Sequence, residues 1–206
     1  MPTRLTLASA SPRRREILAS LGVPFDVVVP DVEELTDGAP EEVVLENARR
    51  KAAVGLEAGK GALTLGVDTE VILAGRLLGK AIDGTEARRR LEALSGRTHT
   101  VLSGLVLYGA SSPGEDPAER SGVARSEVTF RELDEATLAT YLASGEWRDR
   151  AGAYAIQGLG SILIERVEGD FSNVVGLPVT LLLALAPELL DPAGDSAPEP
   201  GPDTNP

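Results

Sequence analysis

Short apolar runs alternate along this 206-residue chain with segments of helical period, yet not in strict strand–helix–strand order. That alternation most narrows the folds open to it. Leu5 to Ala8 reads as a strand running into a helix that Ser11–Pro12 opens and Gly22 closes, with Ile17, Leu18 and Leu21 on its apolar face. Phe25 to Val29 is strand-like, Pro40 to Ala58 is helical, and Ala62 to Leu78 reads as a hairpin turning at Ala74–Gly75. A helix over Glu86 to Leu94, strands over Thr98 to Tyr108 and Glu127 to Phe130, and a helix over Asp134 to Ser144 follow. A strand over Ser161 to Val167 and a last helix over Leu177 to Leu190, disturbed by Pro187, complete the pattern. Interspersed helices and strands predict an α/β class. Strands that follow one another without a helix between them exclude a purely parallel sheet, so the expected sheet is mixed, α+β in character.

At this length the core is expected to be a single domain over residues 1–190. The acidic, proline-rich stretch over residues 191–206 reads as a disordered tail, and Ala110 to Gly122 as a surface loop between strands. A formal net charge of −12 repels nucleic-acid backbones, so no nucleic-acid partner is expected, and an anionic ligand needs a local basic pocket. The longest apolar run, near Val179 to Ala186, is too short to cross a bilayer, and no basic segment leads into an apolar leader. A cytoplasmic protein without membrane contact is expected. Cysteine is absent and His99 is the single histidine, which excludes thiolate and histidine-cluster metal sites.

Charge sits against the pattern in four places. Arg13, Arg14 and Arg15 crowd the positive end of a helix, where cations are disfavoured. They are either a solvated basic face or, with Ser9, Ser11 and the helix N–H groups, an anion site. Lys51 lies seven residues after Val44 and one turn after Asn47, in line with the apolar stripe of its helix. It either snorkels to water or reaches into a cleft. In GVDTEVIL, Leu63, Leu65 and Val67 alternate on one strand face while Asp68 and Glu70 fall on the other. A carboxylate inside an apolar strand needs a metal, a cation or an N–H nest, and the functional reading is preferred to an exposed turn. AGAYAIQGLGS, from Ala151 to Ser161, is glycine-rich and admits close approach to a ligand, or is simply a connector. The Arg88–Arg90 run reads as a solvated helix face with Arg90 paired to Glu86, and His99 lacks any nucleophile motif nearby.

Several stretches, in order, resemble the Maf family of nucleoside triphosphate pyrophosphatases: LASASPRR from Leu7, Asp-Val-Glu-Glu at Asp31–Glu34, ENARRKA from Glu46, GVDTEVILAG with LGK at Leu78–Lys80, LSGRTHTV from Leu94, SGEWRDRAGAYAIQG from Ser144 and NVVGLP from Asn173. The resemblance runs from about Leu5 to Leu190. It implies a Maf/ITPase-like fold with two lobes around a central cleft, a homodimer, and divalent-metal-dependent hydrolysis of nucleoside triphosphates to monophosphate and pyrophosphate.

By this resemblance Asp68 is the catalytic proton acceptor and Glu34 a cleft residue, and as oxygen ligands Asp68 and Glu34 are expected to hold Mg²⁺ or Mn²⁺. Arg13, Thr69 and Gln157 match positions tied to base specificity, and Ser9, Arg14, Lys51 and Lys80 match other substrate-binding positions. Ser-Pro-Arg-Arg at Ser11–Arg14 and the Asp68–Thr69 pair are similar to the dTTP/UTP branch rather than the 7-methyl-GTP branch. Val67 stands where the family usually has alanine and Ala81 where proline usually follows the lysine. A family association with septum formation implies the alternative of a nucleotide-binding regulator without turnover.

Overall fold

The computed structural model describes residues 4–58, 63–109 and 117–190. The tail, Lys60 and most of the Ala110–Gly122 segment lie outside the described residues. A mixed sheet is built from β1 (Leu5–Ala8), β2 (Phe25–Val28), β3 (Leu63–Leu73), β4 (Arg76–Leu77), β5 (Thr98–Gly109), β6 (Glu119–Phe130) and β7 (Ile164–Gly169). Its order is β2-β1-β3-β5-β6-β7, with β4 folded back on β3. β1 runs parallel to β2 and β3, and the remaining neighbours are antiparallel, as the mixed-sheet expectation required.

The helices are α1 (Pro12–Ser20), α2 (Pro40–Glu57), α3 (Gly84–Leu94), α4 (Glu135–Ser144), α5 (Phe171–Val175) and α6 (Val179–Leu185). Caps set several of their ends. Asp83 and Asp134 accept from the N–H groups of Glu86 and Thr137, each at 2.8 Å, and Gly145 ends α4 in the left-handed region. Ser11 occupies the N-cap position of α1, but its side chain makes no capping bond.

Four boundaries differ from the sequence reading. β6 begins at Glu119, inside the expected loop, because its polar first half is held by pairing along β5 rather than by any alternation of its own. Residues 158–163 form a 3-10 turn instead of the start of a strand. The Glu146 carboxylate accepts from the N–H groups of Leu159 and Gly160, each at 3.2 Å, and holds that turn closed. α5 has no counterpart in the sequence reading; Asp170 caps it by accepting from Ser172 and Asn173. The last helix is broken, α6 stopping at Leu185 before a 3-10 turn at Pro187–Leu189, since Pro187 has no N–H to continue it.

Two small clusters, around Val44 and around Ala48, lie under α2, and two large cores follow one another along the sheet. One gathers Leu5, Leu7, Leu18, Leu65, Val67, Leu105 and Leu182. The other gathers Val71, Leu91, Leu94, Val101, Phe130, Tyr141 and Trp147. β3 and β5 run through both, and the changeover on β3 falls between Val67 and Val71, where Asp68 and Glu70 lie.

On one face α2 lies directly on the sheet. Val44, Asn47, Ala48, Lys51, Ala52 and Gly55 form its buried stripe. The contact is possible because β3 and β5 present glycines there. A Cβ built on Gly66 would stand 2.1 Å from the Ala48 carbonyl oxygen, and one on Gly104 would stand 2.3 Å from that of Val44.

His99 belongs to the second core. Its Nε2 lies 2.8 Å from the Tyr154 hydroxyl, with Phe130 and Tyr154 edge-on at 5.0 and 5.3 Å. Burial pulls its pKa down from 6.5 to about 4, so the folded protein keeps it neutral while the unfolded chain takes up a proton between those values. The unfolded state therefore gains protons first, and stability falls as pH drops through that window, by up to ~3 kcal/mol. Urea unfolding at pH 7 and pH 4.5 should show this loss, and His99→Gln should remove that share of the acid sensitivity.

Candidate active site

Between the two cores opens a cleft of about 620 Å³. It is lined by Ser9, Arg13, Arg14, Glu34, Lys51, Asp68, Thr69, Lys80 and Gln157, every site residue singled out from the sequence. Period-two alternation on β3 turns Asp68 and Glu70 to one face. Gly66 is on that same face, so the close approach of α2 over it delivers Lys51 and Asn47 to Asp68.

The acid cluster is tightly wired. Lys51 Nζ sits 2.6 Å from Asp68 Oδ1 and 2.6 Å from Glu34 Oε1. Asn47 Nδ2 donates to Asp68 Oδ2 at 3.2 Å and to the Leu35 carbonyl at 2.9 Å, while its Oδ1 accepts from the Leu35 N–H. One amide thus fixes both the acid and the loop that carries Glu34. Asn47 was not among the expected site residues; its place one turn before Lys51 was the available signal.

Burial lifts the Glu34 carboxyl, but the hydrogen bond and charge of Lys51, with Lys80 and Arg14 behind it, pull it below its ordinary value overall. Glu70 goes the other way. Burial, then the charges of Asp68 and Glu34, push it up to about 7, against a backbone hydrogen bond from Gly79 and the charge of Lys80. Its Oε2 is buried without a hydrogen-bond partner among the described residues. Glu70 is a second residue that the sequence reading placed on the right face and gave no role.

The arginine run resolves into different fates. Arg14, one turn before Leu18 on the buried side of α1, turns its guanidinium inward. Nε donates to the Gly176 carbonyl at 2.8 Å, Nη1 to Ser9 Oγ at 3.0 Å and the Val67 carbonyl at 2.8 Å, and Nη2 to Thr69 Oγ1 at 3.1 Å. Burial lowers its pKa, with the fields of Asp68 and Glu34 opposing. Arg14 is therefore a brace tying α1, β3 and the segment after α5 together, with its donors engaged by the protein itself. Arg13 donates through Nε to the Val175 carbonyl at 3.2 Å, and its outer nitrogens have no partner among the described residues. Thr69 Oγ1 is 2.8 Å from Ser103 Oγ, so its hydroxyl is engaged as well.

The NVVGLP motif explains itself here: Asn173 donates to the Val101 carbonyl at 3.1 Å and to Ser126 Oγ at 3.0 Å, which places the Val175 and Gly176 carbonyls against Arg13 and Arg14. Across the cleft, Lys80 bridges backbone-to-backbone with Ala151, and the Gly152 N–H donates to the Gly79 carbonyl at 2.8 Å. The Gly79 carbonyl also accepts from Arg90, which pairs with Glu86 at 2.6 Å. Arg90 was read as part of a solvated face; the structure has it gripping the turn that carries Lys80. This grip holds the turn in place with Ala81 after the lysine.

With this geometry in place, the family model for Maf-like proteins matches residues 4–189. The chain belongs to the Maf family. Among curated relatives, this Maf protein is 45% identical over 183 residues to the dTTP/UTP pyrophosphatase of Deinococcus radiodurans, covering 88% of this chain and 91% of that one. It is 47% identical over 185 residues to the dTTP/UTP pyrophosphatase of Myxococcus xanthus, covering 89% and 91%. Over 181 residues it is 44% identical to the dTTP/UTP pyrophosphatase of Thermococcus gammatolerans, covering 88% and 94%. A crystal structure of protein VC0702 from Vibrio cholerae overlaps it at a TM-score of 0.37 and 10% identity, covering 79% of this chain and 74% of that one, a slight likeness.

Among the described residues no group of three or more His, Cys, Asp or Glu is arranged to hold a metal ion. What the cleft offers is the Glu34 and Asp68 carboxylates converging on one Lys51 ammonium, beside the unpartnered oxygen of Glu70. Carboxylate oxygens are the donor type that Mg²⁺ and Mn²⁺ take, in sets of one or two completed by water and phosphate oxygens, and here the two carboxylates hold Lys51 between them. No helix among the described residues is long and apolar enough to cross a membrane.

Proposed function

We propose that this protein is a nucleoside triphosphate pyrophosphatase acting on dTTP and UTP, with CTP and modified pyrimidine nucleotides as further candidates. The observation that carries the reading is the Asp68–Lys51–Glu34 cluster, set in a cleft whose rim carries cations without carboxylate partners among the described residues. In a chain of net charge −12, such cations are gathered where an anion is to be held.

Asp68 accepts the proton of the attacking water. Lys51 and Asn47 hold its carboxylate in one orientation, and Lys51 keeps Glu34 alongside. Attack at the α-phosphorus breaks the α–β anhydride and releases pyrophosphate. A divalent cation held by Glu34 and Asp68 would neutralise phosphate charge and make a bound water more acidic. Arg13, through its outer nitrogens, and Gln157 line the cleft with donors that have no partner among the described residues, and Gln157 also carries an acceptor, the combination that reads a pyrimidine edge. Thr69 acts through its bond to Arg14, which shapes the wall between them. The names of the relatives favour the same branch. The activity belongs to residues 1–190, acting as a homodimer in the cytoplasm, where such nucleotides are found.

Product analysis tests this. The protein is incubated with dTTP, UTP, CTP, ATP and 7-methyl-GTP, with and without Mg²⁺ or Mn²⁺. Monophosphate and pyrophosphate are expected from the pyrimidine nucleotides, only with metal, and at rates at least about tenfold above the purine nucleotides, a discrimination of the order one set of base-edge hydrogen bonds supplies. Orthophosphate as the product would refute attack at the α-phosphorus. Tight binding of every nucleotide with no turnover would favour the regulatory reading.

A further inference from the structure

The cations of the cleft are not equally available to a ligand. Arg14 spends its donors on protein oxygens, and Lys51 is neutralised by two carboxylates. Arg148 lies over the Trp147 ring, 4.6 Å from its centre. Arg150 is different. It lines the cleft half-buried, has no carboxylate partner among the described residues, and makes one long bond, from Nε to the Glu146 carbonyl at 3.4 Å. Burial lowers its pKa with no opposing charge, whereas Arg14 has Asp68 and Glu34 behind it. A guanidinium taken partly out of water without a counter-ion is costly, and anionic oxygens reverse that cost.

The surrounding backbone holds Arg150 in place. Its neighbour Ala151 pairs with Lys80, and the Gly152 N–H donates to the Gly79 carbonyl. Asp149 and Ala153, on either side, sit at φ of 56° and 59°, a left-handed conformation unfavourable for residues with a Cβ. Strain of this kind persists where the surroundings fix a segment's shape, and such segments cluster at ligand sites.

We propose that Arg150 is a polyphosphate-binding residue, gripping the triphosphate, and then the pyrophosphate product, from the lobe that also supplies Lys80. The assignment rests on the pyrophosphatase reading above and adds to it a residue that the stretch from Ser144 contains but to which neither the motifs nor the acid cluster gave a role.

The test uses the full-length protein and its Arg150→Gln and Arg150→Lys variants. Affinities for inorganic pyrophosphate with Mg²⁺ and for thymidine are measured by calorimetry, and kcat and KM for dTTP by product formation. Arg150→Gln should weaken pyrophosphate binding and raise KM for dTTP by about tenfold or more, the scale of a lost charge-assisted hydrogen bond. Arg150→Lys should recover part of both, and thymidine affinity and the melting temperature should not move. Unchanged pyrophosphate affinity in Arg150→Gln would overturn the assignment, and so would a parallel loss for thymidine, which marks a structural role through Glu146. A wild-type protein that turns over dTTP beside an unaffected Arg150→Gln refutes this inference alone. A wild-type protein that neither binds pyrophosphate nor turns over any nucleotide refutes the pyrophosphatase reading with it.

Discussion

Asp68→Asn is expected to lower turnover of dTTP by on the order of 10³–10⁴-fold, the loss that follows when a positioned general base is removed. The substitution is isosteric. The new amide can accept from only one of Asn47 and Lys51 and turns its NH2 toward the other, but Lys51 keeps its 2.6 Å contact with Glu34, so the buried ammonium is not stranded. Removing one partner of a buried pair commonly costs several kcal/mol; here the second carboxylate limits that, and a small drop in melting temperature is expected. The two effects separate cleanly if kcat is measured beside thermal unfolding. A variant with near wild-type kcat would remove Asp68 from the chemistry.

The second large effect is on the fold. Gly66→Ala places a Cβ 2.1 Å from the Ala48 carbonyl oxygen and 2.6 Å from the Ala52 amide nitrogen, both backbone atoms of α2. Neither can swing aside as a side chain would. The helix must lift from the sheet, which opens its packing on β3 and β5 and draws Lys51 and Asn47 away from Asp68. A loss of at least ~3 kcal/mol is expected, at or beyond the upper end for overpacking a core. Denaturant unfolding reads it directly. Gly75→Ala is the control for glycine loss alone: the turn position is strained at φ 78° but meets nothing within 4 Å, so a smaller loss is expected there.

Much of this site could be read from residue order. Asp68 announced itself because a carboxylate interrupts an apolar strand, and Lys51 because it continues the stripe of Val44 and Ala48. What the order of residues could not convey was which charges are spent. By residue type and charge alone Arg13, Arg14 and Arg15 are alike. Their roles diverge only because helix rotation puts Arg14 above Leu18 and beneath carbonyls supplied from Val67 and Gly176, far along the chain. Glu70 and Asn47 were legible as positions and not as roles, since each acquires its meaning from a partner in another element. Likewise the first half of β6 has no strand pattern of its own, and its conformation is imposed by β5 alongside it. The break after Leu185, by contrast, was written locally, in Pro187.

β3 and β5 cross from one core to the other without interruption, and Asp68 is paired with Gly104 where they do so. In mechanical terms the acid is mounted at the fulcrum of a pair of jaws. If the jaws flex, displacement grows with distance from that pivot, so Arg13 on one side and Lys80 and Arg150 on the other change their spacing most. The Asp68–Lys51 contact, clamped by α2 across both strands, changes least.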